Sequence, residues 1–419
     1  MKYAVITFGC RVNQADSLGF EEALLAGGAS AAPPDLADLV IVNTCSVTAS
    51  ADQGARQTIR RVARANPGAR IVVTGCYASR RPDELAQLPN VVLVVPNDDK
   101  ARLIPLTRVP AGIGDGPCGA LIEPGVAGRT AFTLRVQTGC AEPCSYCIIP
   151  TTRGAPRSQP VEDVLREAER VVAAGFKEIA LTGVHLGSYG RDLASPSSLI
   201  DLLRALNGVW LKPETTSGDV LFRISSLEPM DCSSEIVDLV ADSPRFAPHF
   251  HLPLQHASDR VLRAMRRPYT IERYAALVND IRARIPGASI GTDIIVGFPS
   301  ETGDEFEQLA VYLESSPLTH VHVFPYSDRP GTPASALADK VPGTVVRERA
   351  RRIREIGQRL AARFLASQIG TSHRALTLED GTLAVTGNYL KVRIPPGRAR
   401  NEWVQLRVAS EHHGELLGG

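Results

Sequence analysis

A chain of 419 residues, 44% hydrophobic and 22% charged, is globular and too long for one ordinary core. Its formal net charge of +1 excludes a globally basic surface, so any contact with nucleic acid must come from a local patch. Eight cysteines over this length exclude a disulfide scaffold, and no apolar run approaches the roughly 20 residues that span a bilayer.

The opening MKYAVITFGC reads as a first strand and not as a signal peptide. The expected location is cytoplasmic, with no membrane partner and with reduced thiols. Short apolar runs follow at Tyr3–Thr7, Leu39–Asn43, Ile71–Thr74 and Val91–Val95, separated by helical patterns such as Asp16–Ala26 and Ala51–Ala65. Continuous β-branched runs between helices predict parallel strands buried on both faces. Residues 1–105 are therefore expected to form an α/β domain with a parallel sheet. Residues 106–128, rich in Gly and Pro, read as a linker.

Residues 129–368 repeat the strand–helix alternation. Strands are expected at Phe132–Gln137, Glu178–Thr182, Leu221–Ser225, Phe250–Leu254, Ser289–Val296 and His320–Phe324. Helical patterns lie between them, for example Pro160–Ala174, Ser258–Met265 and Ile271–Arg284. Six such units predict a partial (β/α) barrel. A helix over Val345–Ile369 carries seven arginines: Arg347, Arg349, Arg351, Arg352, Arg354, Arg359 and Arg363. Residues 369–419 then show strand patterns at Arg374–Leu378, Thr382–Thr386, Tyr389–Ile394 and Glu402–Val408, the signature of a small β-barrel.

The stretch CAEPCSYC places Cys140, Cys144 and Cys147 just past the strand Phe132–Gln137. Ligands collect at the carboxyl ends of parallel strands. Three thiolates hold three irons of a [4Fe-4S] cube and leave the fourth iron open, as a catalytic cofactor requires. A zinc knuckle or ordinary buried thiols are the alternatives. Zinc closes its shell with a fourth Cys or His, and none lies nearby in sequence.

Cys10, Cys45 and Cys76 are distant in sequence, yet each ends an apolar strand: YAVITFGC, LVIVNTC and RIVVTGC. Parallel strands share a carboxyl edge, so the three thiols are expected to converge there; three independent core cysteines are the alternative. Cys118 and Cys232 read as ordinary.

The chain resembles the methylthiotransferases of the radical S-adenosylmethionine (SAM) superfamily over nearly its whole length. The resemblance rests on TFGCRVNQADS, VNTCSVT, VTGCYA, QTGCAEPCSYCIIPTTRG, LTGVHLGSYG, RISSLEP, HLPLQHASDRVLRAMRRPYT, GTDIIVGFPSET and HVFPYSDRPGTPA. GNYLKVRI resembles the family's RNA-binding TRAM barrel. The resemblance implies two [4Fe-4S] clusters. Cys140, Cys144 and Cys147 would bind the one that cleaves SAM, and Cys10, Cys45 and Cys76 an auxiliary one. It also implies SAM contacts at the strand ends: Thr182 and Gly183, then Ser225, Ser226 and Glu228, then Gln255. Arg266, or alternatively Arg153, would hold the SAM carboxylate, and Gly297 would let backbone approach the adenine. His185, His251 and His256 receive no chemical role.

The family inserts a methylthio group at an inert C–H bond, where a radical replaces acid–base work. VNTCSVT, LTGVHLGSYG and RISSLEP are nearer the branch that acts on N6-threonylcarbamoyladenosine at position 37 of tRNAs. Rival substrates are N6-isopentenyladenosine at the same position and an aspartate of a ribosomal protein. A different class of rival is an iron–sulfur electron carrier or RNA-binding protein. The implied partners are the tRNA anticodon loop and a flavodoxin-type reductant, and the expected state is a monomer. The arginine-rich helix is one expected RNA contact. A second is the patch of Lys391, Arg393, Arg398 and Arg400 near Tyr389, combining phosphate neutralisation with stacking.

Overall fold

The structure is a computed structural model that describes residues 1–107, 123–124, 130–209, 220–412 and 414–419. Most of the expected linker, with Cys118, lies outside the described residues. The chain forms two compact units. The first comprises Met1–Ile122, Gln137–Arg157 and Ser327–Ser335; the second comprises Glu123–Val136, Ser158–Tyr326 and Ala336–Gly419.

The first unit is built on strands β1 (Lys2–Thr7), β2 (Ser30–Ala31), β3 (Leu39–Thr44), β4 (Arg70–Gly75) and β5 (Val91–Val95). Helices α1 (Arg11–Ala26), α2 (Ala49–Ala65), α3 (Cys76–Arg80), α4 (Pro82–Ala86) and α5 (Leu103–Leu106) connect or follow them. The parallel sheet has the order β2-β1-β3-β4-β5. Val40 and Val42 face a core with Ile59 and Val62 of α2, whereas Leu39 and Ile41 face Phe20 and Leu24 of α1. Each such aliphatic side chain contributes about 1.5–3 kcal/mol by leaving water, which fixes β3 as the central strand. Helix α1 begins five residues before the expected Asp16, because its polar first turn RVNQ carries no apolar rhythm. Val12 and Asn13 are nevertheless buried there.

Within this unit a loop runs between the two-residue strands β7 (Gln137–Thr138) and β8 (Arg157–Ser158), and it contains helix α6 (Ile149–Arg153).

The second unit holds β6 (Phe132–Arg135), α7 (Val161–Ala173), β9 (Glu178–Thr182), α8 (Leu199–Val209), β10 (Leu221–Ile224) and α9 (Ser234–Asp242). It continues with β11 (His249–His251), α10 (Asp259–Ala264), α11 (Ile271–Arg284), β12 (Ser289–Val296), α12 (Gly303–Ser315) and β13 (His320–Pro325). The six long strands form two parallel sheets, β10-β9-β6 and β11-β12-β13, the frame of the expected partial barrel. Ser258, Thr270 and Thr302 accept backbone N–H groups at the starts of α10, α11 and α12, and Thr302 with Glu305 forms a full capping box. Strand β11 stops short of the expected Leu254 because Gln255 turns the chain with a φ of 70°.

Helix α13 (Gly343–Gln368) corrects the expected arginine face. Arg349 turns inward and pairs with Glu301 at 2.7 Å. Arg351 pairs with Glu348 and Glu355, Arg352 with Glu307, and Arg359 with Glu314. Arg363 donates to the Ser316 carbonyl. Acids from the helix itself and from α12 thus neutralise most of the charge offered to RNA.

The remaining strands, β14 (Ser372–Leu378), β15 (Leu383–Thr386), β16 (Lys391–Arg393), β17 (Trp403–His412) and β18 (Glu415–Gly418), close a barrel in the order β14-β15-β16-β18-β17. Arg223 on β10, fully buried, pairs with Glu178 of β9 and donates to the Gly387 carbonyl at 2.8 Å. Its guanidinium also lies 4.6 Å from the centroid of the half-exposed Tyr389 ring. Arg393 is offset by Glu415, so the basic patch is smaller than its residue count suggests.

His256 lies fully buried after Gln255, with Nδ1 accepting the Ser258 N–H at 2.9 Å. Burial pushes its pKa down from 6.5 to about 4, against the attraction of Glu305. The unfolded chain therefore binds more protons between those values. Stability is fully present above 6.5 and is lost as pH falls toward 4. The loss from this group reaches about 3 kcal/mol at its limit. Thermal melts between pH 7 and 5 are expected to show the decline, and His256→Gln is expected to flatten it.

Candidate active site

Strand register brings the first cysteine set together. Thr7 pairs with Asn43, Asn43 with Thr74, and Thr44 with Gly75, so β1, β3 and β4 end level. Cys45 and Cys76 follow β3 and β4 directly, and Cys10 follows the Phe8-Gly9 turn. Gly9 has a φ of 91°, and a Cβ there would lie 2.8 Å from Cys45 Sγ. Only glycine lets the two chains approach so closely. Burial pushes the Cys45 thiol up to about 11; the Val47 amide opposes this, and Cys76 and Cys10 add to it. The three thiols therefore sit within electrostatic reach of one another.

The polar groups around this edge are buried and largely interlocked. Asn13 Nδ2 donates to the carbonyls of Phe8 and Thr44, and Asn43 Nδ2 donates to the Asn13 carbonyl. Asn97 Nδ2 lies 3.6 Å from Cys76 Sγ. Two carboxylates each meet two cations. Asp16 pairs with Lys100 and Arg153, and Asp52 pairs with Arg80 and Arg329. Each trio leaves one net positive charge in a buried setting, where an anionic cofactor would be stabilised.

The second set lies in the loop between β7 and β8. Gly139 has a φ of 76°, and a Cβ there would lie 1.9 Å from the Ala155 carbonyl oxygen, so the neck of the loop admits only glycine. The Cys140 N–H donates to the Gly154 carbonyl at 3.0 Å, and the Cys147 N–H to that of Cys144 at 3.1 Å. All three thiols are partly exposed. Ser145, buried between them in sequence, accepts the Ala334 N–H at 2.8 Å.

Both sets belong to the first unit, and α6 ties them. The Thr152 carbonyl accepts Asn97 Nδ2 at 2.8 Å. Arg153 Nη2 donates to Asn13 Oδ1 at 2.5 Å. Burial alone would lower the Arg153 pKa, but Cys76, Asp16 and Cys10 reverse that and raise it. Arg153 Nε and Asn97 Oδ1 are buried without a hydrogen-bond partner, as expected beside a cofactor. Among the described residues, neither cysteine set gathers three ligand atoms within 4.8 Å, the closeness of a single ion's shell. Thiolates are the donor type of iron–sulfur clusters.

In the second unit the remaining candidates fall at strand ends. Thr182 is buried at the end of β9, and its carbonyl accepts the Val136 N–H; Gly183 is partly exposed. Ser225 follows β10 with a buried Oγ that has no hydrogen-bond partner, and Ser226 is exposed. Glu228 is paired with Arg267. Gln255 and Arg266 hold φ values of 70° and 58°. Left-handed backbone in such residues costs on the order of 1–3 kcal/mol and gathers at ligand sites.

Three of the candidates have particular surroundings. Arg153, the alternative carboxylate clamp, is engaged with Asn13 and Asp16. Arg267, not the exposed Arg266, is the buried arginine after α10. A Cβ on Gly297 would lie 2.4 Å from Val346 Cγ2, so α13 packs against this glycine on its Cβ side. Cys232 is buried, and burial pushes its thiol up to about 12, far from a reactive thiolate. Sequence reasoning missed the roles of Asn97, Arg329 and Arg153 at the first cysteine set. Their partners lie on other elements, and no local motif announces them.

Residues 2–96 match the uncharacterized protein family UPF0004, and residues 134–313 match the radical SAM superfamily. The threonylcarbamoyladenosine tRNA methylthiotransferase MtaB of Aquifex aeolicus is 37% identical over 94% of this chain and 96% of its own length. A tRNA-2-methylthio-N(6)-dimethylallyladenosine synthase of Chloroflexus aurantiacus is 36% identical over 90% and 81%. Among solved structures, the radical S-adenosylmethionine methyltransferase TsrM of Kitasatospora setae, with cobalamin and a [4Fe-4S] cluster bound, superposes with a TM-score of 0.57. It covers 80% of this chain and 74% of that one at 16% identity, a likeness of fold alone.

Proposed function

The chain belongs to the methylthiotransferase family of radical SAM enzymes, and we propose that it methylthiolates C2 of N6-threonylcarbamoyladenosine at position 37 of tRNAs. The observation that carries the substrate is similarity across nearly the full length of relatives named for that nucleoside. The radical SAM match implies one [4Fe-4S] cluster and SAM. Cys140, Cys144 and Cys147 would hold that cluster, and Cys10, Cys45 and Cys76 would hold a second.

When bound, these groups supply electron transfer, hydrogen-atom abstraction and the methylthio sulfur. The chain supplies position and charge. Three thiolates in each set leave one iron corner for an exogenous ligand. Thr182, Gly183, Ser225, Ser226, Glu228 and Gln255 would line SAM. Arg266 is the guanidinium left for the SAM carboxylate, since Arg267 is committed to Glu228 and Arg153 to Asp16. The adenine C2–H is not acidic, so no histidine need act as a base there. The anticodon loop would meet the C-terminal barrel at the half-exposed Tyr389 and at Lys391. The enzyme would act in the cytoplasm as a monomer, reduced by a flavodoxin-type donor. No helix among the described residues is long and apolar enough to cross a membrane.

Nucleoside mass spectrometry of total tRNA from cells with and without the gene tests the substrate. Loss of the methylthio nucleoside with accumulation of threonylcarbamoyladenosine is the expected result. An unchanged level of that nucleoside overturns the assignment. Loss of methylthio-isopentenyladenosine instead would move the enzyme to the branch of the dimethylallyladenosine synthases, which are 33–36% identical.

A further inference from the structure

The sheet β11-β12-β13 carries a constellation outside both cysteine sets. His251 Nε2 lies 3.0 Å and His322 Nδ1 lies 3.2 Å from one atom, Asp293 Oδ1. The three residues come from three adjacent parallel strands. Asp293 pairs in register with His322, and His251 pairs with Gly291, two residues before Asp293. Residues two apart on a strand share a face, so all three side chains project to the same side. Their ligand atoms all lie within 4.8 Å of one another, a closeness reached by no other such group among the described residues.

We propose that His251, Asp293 and His322 form a mononuclear site for a divalent first-row transition ion of the Zn2+, Fe2+ or Mn2+ class. Two imidazoles and one carboxylate are the donor set of open transition-metal sites, which leave positions for water or a further ligand. Ligands about 2.0–2.1 Å from a tetrahedral ion stand about 3.3 Å apart, close to the 3.0 and 3.2 Å seen from the two imidazoles to Asp293 Oδ1, and the third edge lies within 4.8 Å. The site is anchored on one side and open on the other. The His251 side chain is 10% exposed, Asp293 24% and His322 58%. Strands hold ligands more rigidly than loops do. A third imidazole is close: the His320 ring centroid lies 6.0 Å from that of His251 and 5.6 Å from that of His322. Gly291 makes room for it, since a Cβ there would lie 1.9 Å from His320 Nε2. The assignment stands on this sheet alone and does not depend on the methylthiotransferase reading.

Thiolates also bind soft divalent ions, so the test uses the oxidised, cluster-loaded enzyme and hard Mn2+, which thiolates bind poorly. Free Mn2+ is followed by its six-line electron paramagnetic resonance signal during titration. The expected result is saturable binding of one ion per chain, with nitrogen couplings from imidazole and displacement by equimolar Zn2+. His322→Gln and Asp293→Asn are each expected to weaken binding on the order of tenfold or more. His322 is exposed on strand β13, so its replacement leaves the fold intact and decides the matter if Asp293→Asn fails to fold. Unsaturable binding, or binding that His322→Gln leaves unchanged, overturns the assignment and reduces the group to a hydrogen-bonded His–Asp–His network.

Discussion

Cys144→Ala is expected to abolish release of 5′-deoxyadenosine and all methylthiolated product, whereas Cys45→Ala is expected to spare SAM cleavage while blocking sulfur insertion. The asymmetry follows from place. Cys144 belongs to the loop closed by Gly139 and Gly154, next to Cys147 through one backbone hydrogen bond. Losing one of three thiolates there would remove the cluster proposed to cleave SAM. Cys45 sits at the end of the central strand β3, packed against Gly9 and within electrostatic reach of Cys10 and Cys76. Its loss would empty only the proposed auxiliary site. Product analysis by liquid chromatography and mass spectrometry separates the outcomes, with iron content as the second readout. Cys45→Ala should lose about half the iron and keep 5′-deoxyadenosine formation. A Cys45→Ala enzyme that still made methylthiolated product over many turnovers would remove the auxiliary cysteines from the chemistry.

The strands that carry the thiols were legible because burial on both faces leaves a continuous β-branched run. RIVVTG and LVIVNT need no alternation to be recognised, and their parallel order puts their carboxyl ends on one edge. The cysteines at those ends were therefore readable as a set before any coordinates. Polar partnerships were not. Asp293 meets His251 and His322 across 42 and 29 residues of sequence, and His251 receives no role from sequence alone. Periodicity reports which face is apolar. It does not report which polar residue on the next strand shares a register. Arg349 shows the same limit on a helix: its spacing looked solvent-facing, yet Glu301 draws it inward. At Gly297 the glycine was rightly conspicuous, but only the packing of Val346 reveals which neighbour uses the space.

Arg153 is a buried charged residue whose replacement is expected to lower stability. It donates to Asn13 Oδ1 and shares Asp16 with Lys100. Breaking a buried pair outright costs roughly 3–5 kcal/mol, and the cost here is smaller because Lys100 stays on Asp16. Arg153→Met should therefore lower the thermal midpoint. A purely structural arginine would do no more than that. This one feels Cys76 and Cys10, with its Nε left unpartnered beside them. A cation near an iron–sulfur centre favours the reduced, more negative state. Arg153→Met should accordingly shift the potential of the centre proposed for Cys10, Cys45 and Cys76 in the negative direction, and Arg153→Lys should shift it less. Lys keeps the charge but loses the fork that spans Asn13 and Asp16. Redox titration of the reduced-cluster paramagnetic signal in Cys144→Ala enzyme, which retains only the auxiliary centre, isolates the effect. A lower melting midpoint with an unchanged potential would make Arg153 a structural clamp alone. A shifted potential would make the buried charge around the thiols a means of setting how readily that centre accepts an electron.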